Sequence, residues 1–278
     1  MSSKSVQEIL ESAKSQGQIS AEAVASIEEA LDDIAIAGAR GRDIEELDSE
    51  EVTLVSVVID ASGSMTEHRN KVIKSYNEQF LKPLQGAKNA KDIWVEVWVF
   101  QGVGPADQYC QLIQGWTPVP DCQSLTSKNY QPMGGTPLFA AVHRAQTGMV
   151  AYGQVCRDSG TRTKCIMVVI SDGQENMSED LKISGTMVRT ISESMLKQEN
   201  YVLSYIFFGR ESEGDKHAEQ IGFPPQHRLT GTLTDSEIRR IFQQVSSSVI
   251  STSQTSVSTT SLSANAFFSP QARFPGGR

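Results

Sequence analysis

From residue 53 to residue 250 the sequence alternates short apolar runs of strand length with amphipathic stretches of helix length. Parallel strands need a crossover of a dozen or more residues, normally a helix, so this alternation predicts an α/β fold with a mostly parallel central sheet flanked by helices. The runs 53–59, 93–100, 109–116, 165–170 and 202–208 are the predicted strands, with a weaker edge strand at 228–230. Helices are predicted near 68–83, 137–152, 186–199, 214–221 and 235–250. Trp94, Trp98 and Phe100 alternate with Val95, Val97 and Val99, a pattern of burial on both faces that predicts core and not a base-stacking platform.

Ahead of this domain, Ser5 and Glu8 have capping-box spacing, Val6, Ile9, Leu10 and Ala13 share one helical face, and Gly17 supplies a stop. Ser20 then opens a segment in which Val24, Ile27, Leu31 and Ile34 recur at helical spacing up to residues 38–41. Residues 1–42 are therefore predicted as a small helical hairpin. The stretch DIEELDSEE, 43–51, is predicted as an acidic linker, and 251–278 as a Ser/Thr-rich flexible tail.

Charge narrows the functional classes. Residues 1–51 hold 13 of the 33 acidic and 4 of the 25 basic side chains, so the net charge of −8 belongs to the N-terminal segment. With no basic stripe to meet a phosphate backbone, nucleic acid is excluded as a partner. No run approaches the ~20 apolar residues of a membrane span, and the N-terminus lacks the apolar core of a secretory signal, so the expected compartment is the cytoplasm. Cys110, Cys122, Cys156 and Cys165 form no C-x-x-C pair and have no histidine at zinc-finger spacing, which predicts four reduced thiols. A Cys110–Cys122 bridge would require an oxidising compartment.

In open parallel sheets the ligand site lies beyond the carboxyl ends of the strands. The first strand runs into Asp60-Ala61-Ser62-Gly63-Ser64, and the strand at 165–170 runs into Ser171-Asp172-Gly173. Between them Gly134-Gly135-Thr136-Pro137 opens a helix, with the Thr136 hydroxyl free near its N-terminus. Two carboxylates and three hydroxyls make an all-oxygen site, which suits a hard octahedral cation, Mg²⁺ before Ca²⁺ or Mn²⁺. With only two formal negative charges in the set, a bound ion keeps an open position for an external carboxylate.

Asp60-x-Ser62-x-Ser64, Thr136 in a GGTP turn and Asp172 in SDG together resemble the metal-ion-dependent adhesion site of von Willebrand factor A domains. The resemblance covers residues 52–250 and implies a Rossmann-like sheet. It also implies that Asp60, Ser62, Ser64, Thr136 and Asp172 hold the metal directly or through water, and that a protein partner's Asp or Glu completes the sphere. The SDGQEN segment and the IRRIFQQVSSSVISTSQ end look most like intracellular bacterial members of tellurium-resistance and stress operons.

The expectation is a non-enzymatic, Mg²⁺-dependent protein-interaction module. One alternative is a regulatory subunit of a MoxR- or chelatase-type AAA+ ATPase. Another is a Mg²⁺-dependent phosphohydrolase, disfavoured because such enzymes carry a second carboxylate two residues after the first, where this chain has Ser62. The acidic segment 43–51 of a neighbouring copy is a further candidate donor to the metal, which would give Mg²⁺-dependent self-association. Glu67, Glu175 and His68 flank the site and read as rim residues. Gly102-Val103-Gly104 lacks the third glycine of a dinucleotide loop, position 107 being Asp107, and reads as a turn.

Overall fold

The first strand, β1 (Glu51–Asp60), is rich in Val and Ile and is buried on both faces, as a central parallel strand must be. In the computed structural model, which describes residues 5–39, 49–255 and 267–268, it lies in the middle of a six-stranded sheet. The strands run in the order β3-β2-β1-β4-β5-β6, with β2 (Ile93–Phe100), β3 (Cys110–Pro118), β4 (Arg162–Ser171), β5 (Tyr201–Phe208) and β6 (Arg228–Gly231). Every pairing is parallel except β2 with β3, which is antiparallel. The connection 101–109 is too short for a crossover helix, so β3 can only turn back.

The two sheet faces have separate cores. One holds Leu54, Val58, Trp94, Trp98, Phe100, Met167 and Leu203 under α6 (Leu138–Asp158), α7 (Gly185–Leu196) and α8 (Glu211–Gln220). The other holds Val55, Val57, Ile59, Val97 and Ile206 under α4 (Arg69–Ser75), α5 (Lys82–Gln85) and α9 (Asp235–Gln254). The single helix predicted near 68–83 is interrupted by a π turn at Tyr76–Leu81, which separates α4 from α5. Helix α9 runs past the predicted end at 250. Val245, Ser246, Val249 and Ser253 form its buried face, and the buried Lys164 ammonium closes its last turn by donating to the Ser253 carbonyl (2.9 Å) while pairing with Glu51 (2.6 Å). Of the tail, Phe267 and Phe268 are described and buried in the second core, whereas 256–266 and 269–278 lie outside the described residues.

The N-terminal segment packs as two antiparallel helices followed by a third. Ser5 and Glu8 form the predicted capping box at α1 (Val6–Ser15), and Ser20 caps α2 (Ala21–Glu29). The second predicted helix stops at Ala30, and Asp32 starts α3 (Asp33–Gly38) by accepting the Ala35 N–H (2.8 Å). Val6, Ile9, Leu10, Ala23, Val24 and Ile27 join the first core, because these helices lie over α6 and α7. The close approach depends on glycine: a Cβ on Gly38 would stand 2.5 Å from the Trp98 ring, and one on Gly148 would stand 2.8 Å from the Gly38 carbonyl. Helix α6 is consequently sandwiched, and its polar face is buried together with its apolar one. His143 contacts the Ser26 carbonyl (3.0 Å), Gln146 donates to Ser192 (2.7 Å) and Arg144 pairs with Asp32. The linker region 40–48 lies outside the described residues.

Candidate metal centre

β1 and β4 are neighbours, and at their carboxyl ends the chain crosses to opposite sides of the sheet, which is the usual ligand crevice of a doubly wound fold. Asp60 is the last residue of β1, and Asp172 follows the last residue of β4. The Asp60 side chain is fully buried. Its Oδ1 accepts the Ser62 N–H at 2.7 Å and its Oδ2 accepts the Ser171 hydroxyl at 2.5 Å. Ser62 Oγ lies 3.0 Å from Ser64 Oγ, which in turn donates to Asp172 Oδ1 at 2.8 Å. Thr136 is buried beside them. The position a Cβ on Gly173 would take is 2.9 Å from Thr136 Oγ1 and 3.7 Å from Asp60 Oδ2, so glycine there leaves open the space between these two oxygens. All five residues singled out in the sequence thus meet at one sheet end.

Several residues that shape the site escaped the sequence reading. Ser171 looks like an ordinary strand residue, yet its hydroxyl orients the central carboxylate. Tyr130 reaches across from the long β3–α6 loop and donates to the Asp60 carbonyl at 2.7 Å. Glu175, expected as a rim charge, instead caps a helix. Its carboxylate accepts the Phe139 N–H at the start of α6 (2.7 Å) and the N–H groups of Met177 (2.8 Å) and Ser178 (2.6 Å). Negative charge is favourable at that helix end. Asn176 accepts the Thr136 N–H at 2.8 Å, and Glu67 is exposed.

The Gly102-Val103-Gly104 turn also has a task. Gly102 N–H donates to the Gly135 carbonyl at 2.8 Å, while the Gly134 carbonyl accepts the Gly63 N–H at 2.9 Å, so the Thr136 loop is held between β2 and the metal turn. Gly134 has φ +69°, and a Cβ there would overlap the Gly102 carbonyl and the Val103 side chain. Gly134→Ala is expected to lower stability by about 2 kcal/mol from the left-handed backbone and the overlap. It should also weaken metal binding, because Thr136 sits two residues on. Unaltered urea midpoint and unaltered metal titration in the variant would refute this.

Electrostatically the site is short of positive charge. Burial pushes the Asp60 carboxyl up to about 6, against the Ser171 and Ser62 hydrogen bonds, and the neighbouring Asp172 adds to the rise. Asp172 is raised too, chiefly by burial, against the Ser64 hydrogen bond, a backbone hydrogen bond and the nearby His68. A buried carboxylate without a cation is costly, and a divalent ion is the countercharge that such a pair lacks. The donor set fits a hard cation, since no thiol or imidazole belongs to it. Among the described residues no three His, Cys, Asp or Glu side chains gather anywhere as a metal cluster, so any ion here depends on the hydroxyls. The four cysteines are buried and none is in a disulfide bond.

Among solved structures, the chain matches the pilus adhesin SpaC from Lactobacillus rhamnosus GG at 12% identity and a TM-score of 0.53, over 75% of this chain and 31% of that one. The likeness shows the fold, a six-stranded, mostly parallel sheet flanked by helices. Lower in similarity are the PilB minor pilin from Streptococcus sanguinis (13% identity, TM-score 0.49, 73% of this chain and 62% of that one) and the vWF domain of the pilus tip protein Mfa5 from Porphyromonas gingivalis (10%, 0.46, 72% and 97%). The match thus spans under two thirds of PilB and about a third of SpaC. No family model and no curated protein matches the sequence. Among the described residues no helix is long and apolar enough to cross a membrane.

Proposed function

We propose that this chain is a von Willebrand factor A domain that serves as a metal-dependent protein-binding module without chemistry of its own. Asp60, Ser62, Ser64, Thr136 and Asp172 would hold Mg²⁺, and a partner's Asp or Glu would take the open position. The observation that carries this reading is the convergence of three separate chain segments, which bring two carboxylates and three hydroxyls to one crevice. When bound, the ion would supply a Lewis-acidic centre, and because three of its five protein ligands are neutral hydroxyls it would keep an open position that an external carboxylate can fill. The chain's own residues do the positioning: Ser171 and the Ser62 N–H fix the Asp60 carboxylate, and Asn176 holds the Thr136 backbone. We place the module in a bacterial cytoplasmic stress or defence system, on the resemblance of the SDGQEN and C-terminal segments. An AAA+ ATPase that co-purifies from the native host would make the regulatory-subunit reading the better one.

Calorimetric titration with Mg²⁺ tests the proposal. Because Asp60 is buried and accepts two hydrogen bonds, Asp60→Asn is the cleaner variant: it removes the charge and keeps the shape. Wild type should bind Mg²⁺, and the variant should bind at least about 100-fold more weakly, consistent with loss of a ligating charge. Equal affinities would reject the site.

A further inference from the structure

Among the described residues, two large apolar side chains stand out as exposed, Val103 and Met133, each at 39%. Single exposed apolar residues are ordinary on a protein surface, but these two are not scattered. Val103 lies three residues beyond the end of β2, whose last residue, Phe100, pairs with Asp60 itself. The Met133 N–H donates to the Ala61 carbonyl at 2.8 Å, one residue after Asp60. Gly134 joins them: it adjoins the Val103 side chain, and its carbonyl accepts the N–H of Gly63, which separates Ser62 from Ser64. Val103, Gly134 and Gly63 therefore form a continuous line into the metal turn, with Met133 beside it.

The charge around this line is informative as well. Residues 101–106 and 129–137 contain no Asp, Glu, Lys or Arg, whereas the other sides of the site carry Glu67, Glu175 and Glu179. Along these two segments a ligand side chain meets apolar surface and uncharged groups.

We infer that the partner segment carries a large aliphatic side chain within two residues of its acidic one, and that Val103 and Met133 receive it. This rests on the metal-dependent reading above and names the kind of segment that the site selects. Successive same-side residues of an extended chain stand ~7 Å apart, so a segment whose acidic residue reaches the metal presents the residue two positions away on the same side. The thioether of Met133 adapts to differing aliphatic shapes.

The test uses the full chain and two synthetic peptides, Ser-Gly-Glu-Ser-Leu-Ser-Gly and the same peptide with Ser in place of Leu, measured by fluorescence anisotropy in MgCl₂ and in chelator. Wild type should bind the Leu peptide about tenfold more tightly than the Ser peptide, the gain of covering one aliphatic side chain. Val103→Thr/Met133→Gln, which keeps side-chain size and removes apolar character, should bind both peptides alike at the Ser-peptide level, with Mg²⁺ affinity unchanged by calorimetry. Mg²⁺-dependent binding without a Leu preference in wild type, or a preference that survives in the double variant, overturns the inference and leaves the metal reading standing. Failure of either peptide to bind in MgCl₂ up to millimolar concentration, with Mg²⁺ itself bound, overturns both the acidic-partner reading and the inference built on it.

Discussion

Glu96→Gln will abolish much of the fall in stability that the wild-type protein shows between pH 5 and pH 8. Glu96 lies in the middle of β2 on the Trp94 and Trp98 face, fully buried, and neither carboxyl oxygen has a hydrogen-bond partner at bonding distance. Burial pushes its carboxyl up to about 8 from the usual 4.5, with the nearby Ser56 and Trp98 side chains only tempering the rise. Between those two values the folded chain keeps a proton that the unfolded chain has released, so stability falls as pH rises through the window. At about 1.4 kcal/mol per pH unit the full span amounts to roughly 5 kcal/mol, an upper figure. His143 and His217, lowered by burial, act in the opposite sense below pH 6.5, and Asp60 acts in the same sense up to about 6. All three persist in the variant, so the difference between the two proteins isolates Glu96. Urea midpoints measured at pH 5, 6, 7 and 8 should fall for wild type and fall by far less for Glu96→Gln; parallel curves would show that Glu96 does not hold a proton in the fold.

Asp32→Ala is expected to cost about 4 kcal/mol. The Asp32 carboxylate does two things at once. One oxygen caps α3 through the Ala35 N–H, and the other takes Arg144 Nε at 3.0 Å and Nη2 at 2.5 Å. The Arg144 side chain is 1% exposed and Asp32 36%, so the truncation strands a guanidinium between α6 and the N-terminal helices. Removing one partner of a buried pair costs roughly 3–5 kcal/mol, and losing an N-cap about 1; the partial exposure of Asp32 holds the total to the figure given. Adding Arg144→Met should restore a good part of the loss, since an apolar side chain carries no desolvation penalty. A double variant no more stable than Asp32→Ala alone, in urea unfolding, would show that the stranded charge is not the cause.

The strands and the five oxygen donors were legible in the sequence because each rests on a local rule. A buried parallel strand must be continuously apolar, and a metal ligand in this fold must sit just past a strand end. Asp60, Ser62, Ser64 and Asp172 follow strand ends and Thr136 opens a helix, so all five could be picked out by position and chemistry without reference to a contact. The end of α9 was misjudged because Ser246 and Ser253 look like surface residues. Their small size is what lets that helix lie close to β1 and β4.

What tertiary structure alone decided are the roles that depend on a partner distant in the chain. Ser171, Tyr130 and Asn176 carry no local mark of function, since a hydroxyl or amide at a strand end or in a loop is ordinary until the residue it bonds is known. Glu175 reads as a surface charge until α6 is placed against it. The polar face of α6 follows periodicity that normally points to water. It points to buried helices here because Gly38 and Gly148 allow α3 to approach, and because Asp32 lies where Arg144 needs it. Sequence pattern determines which surfaces can be buried; which surface each one meets is set by packing, and packing turned a helical hairpin, two glycine turns and a strand-end serine into parts of one site and one core.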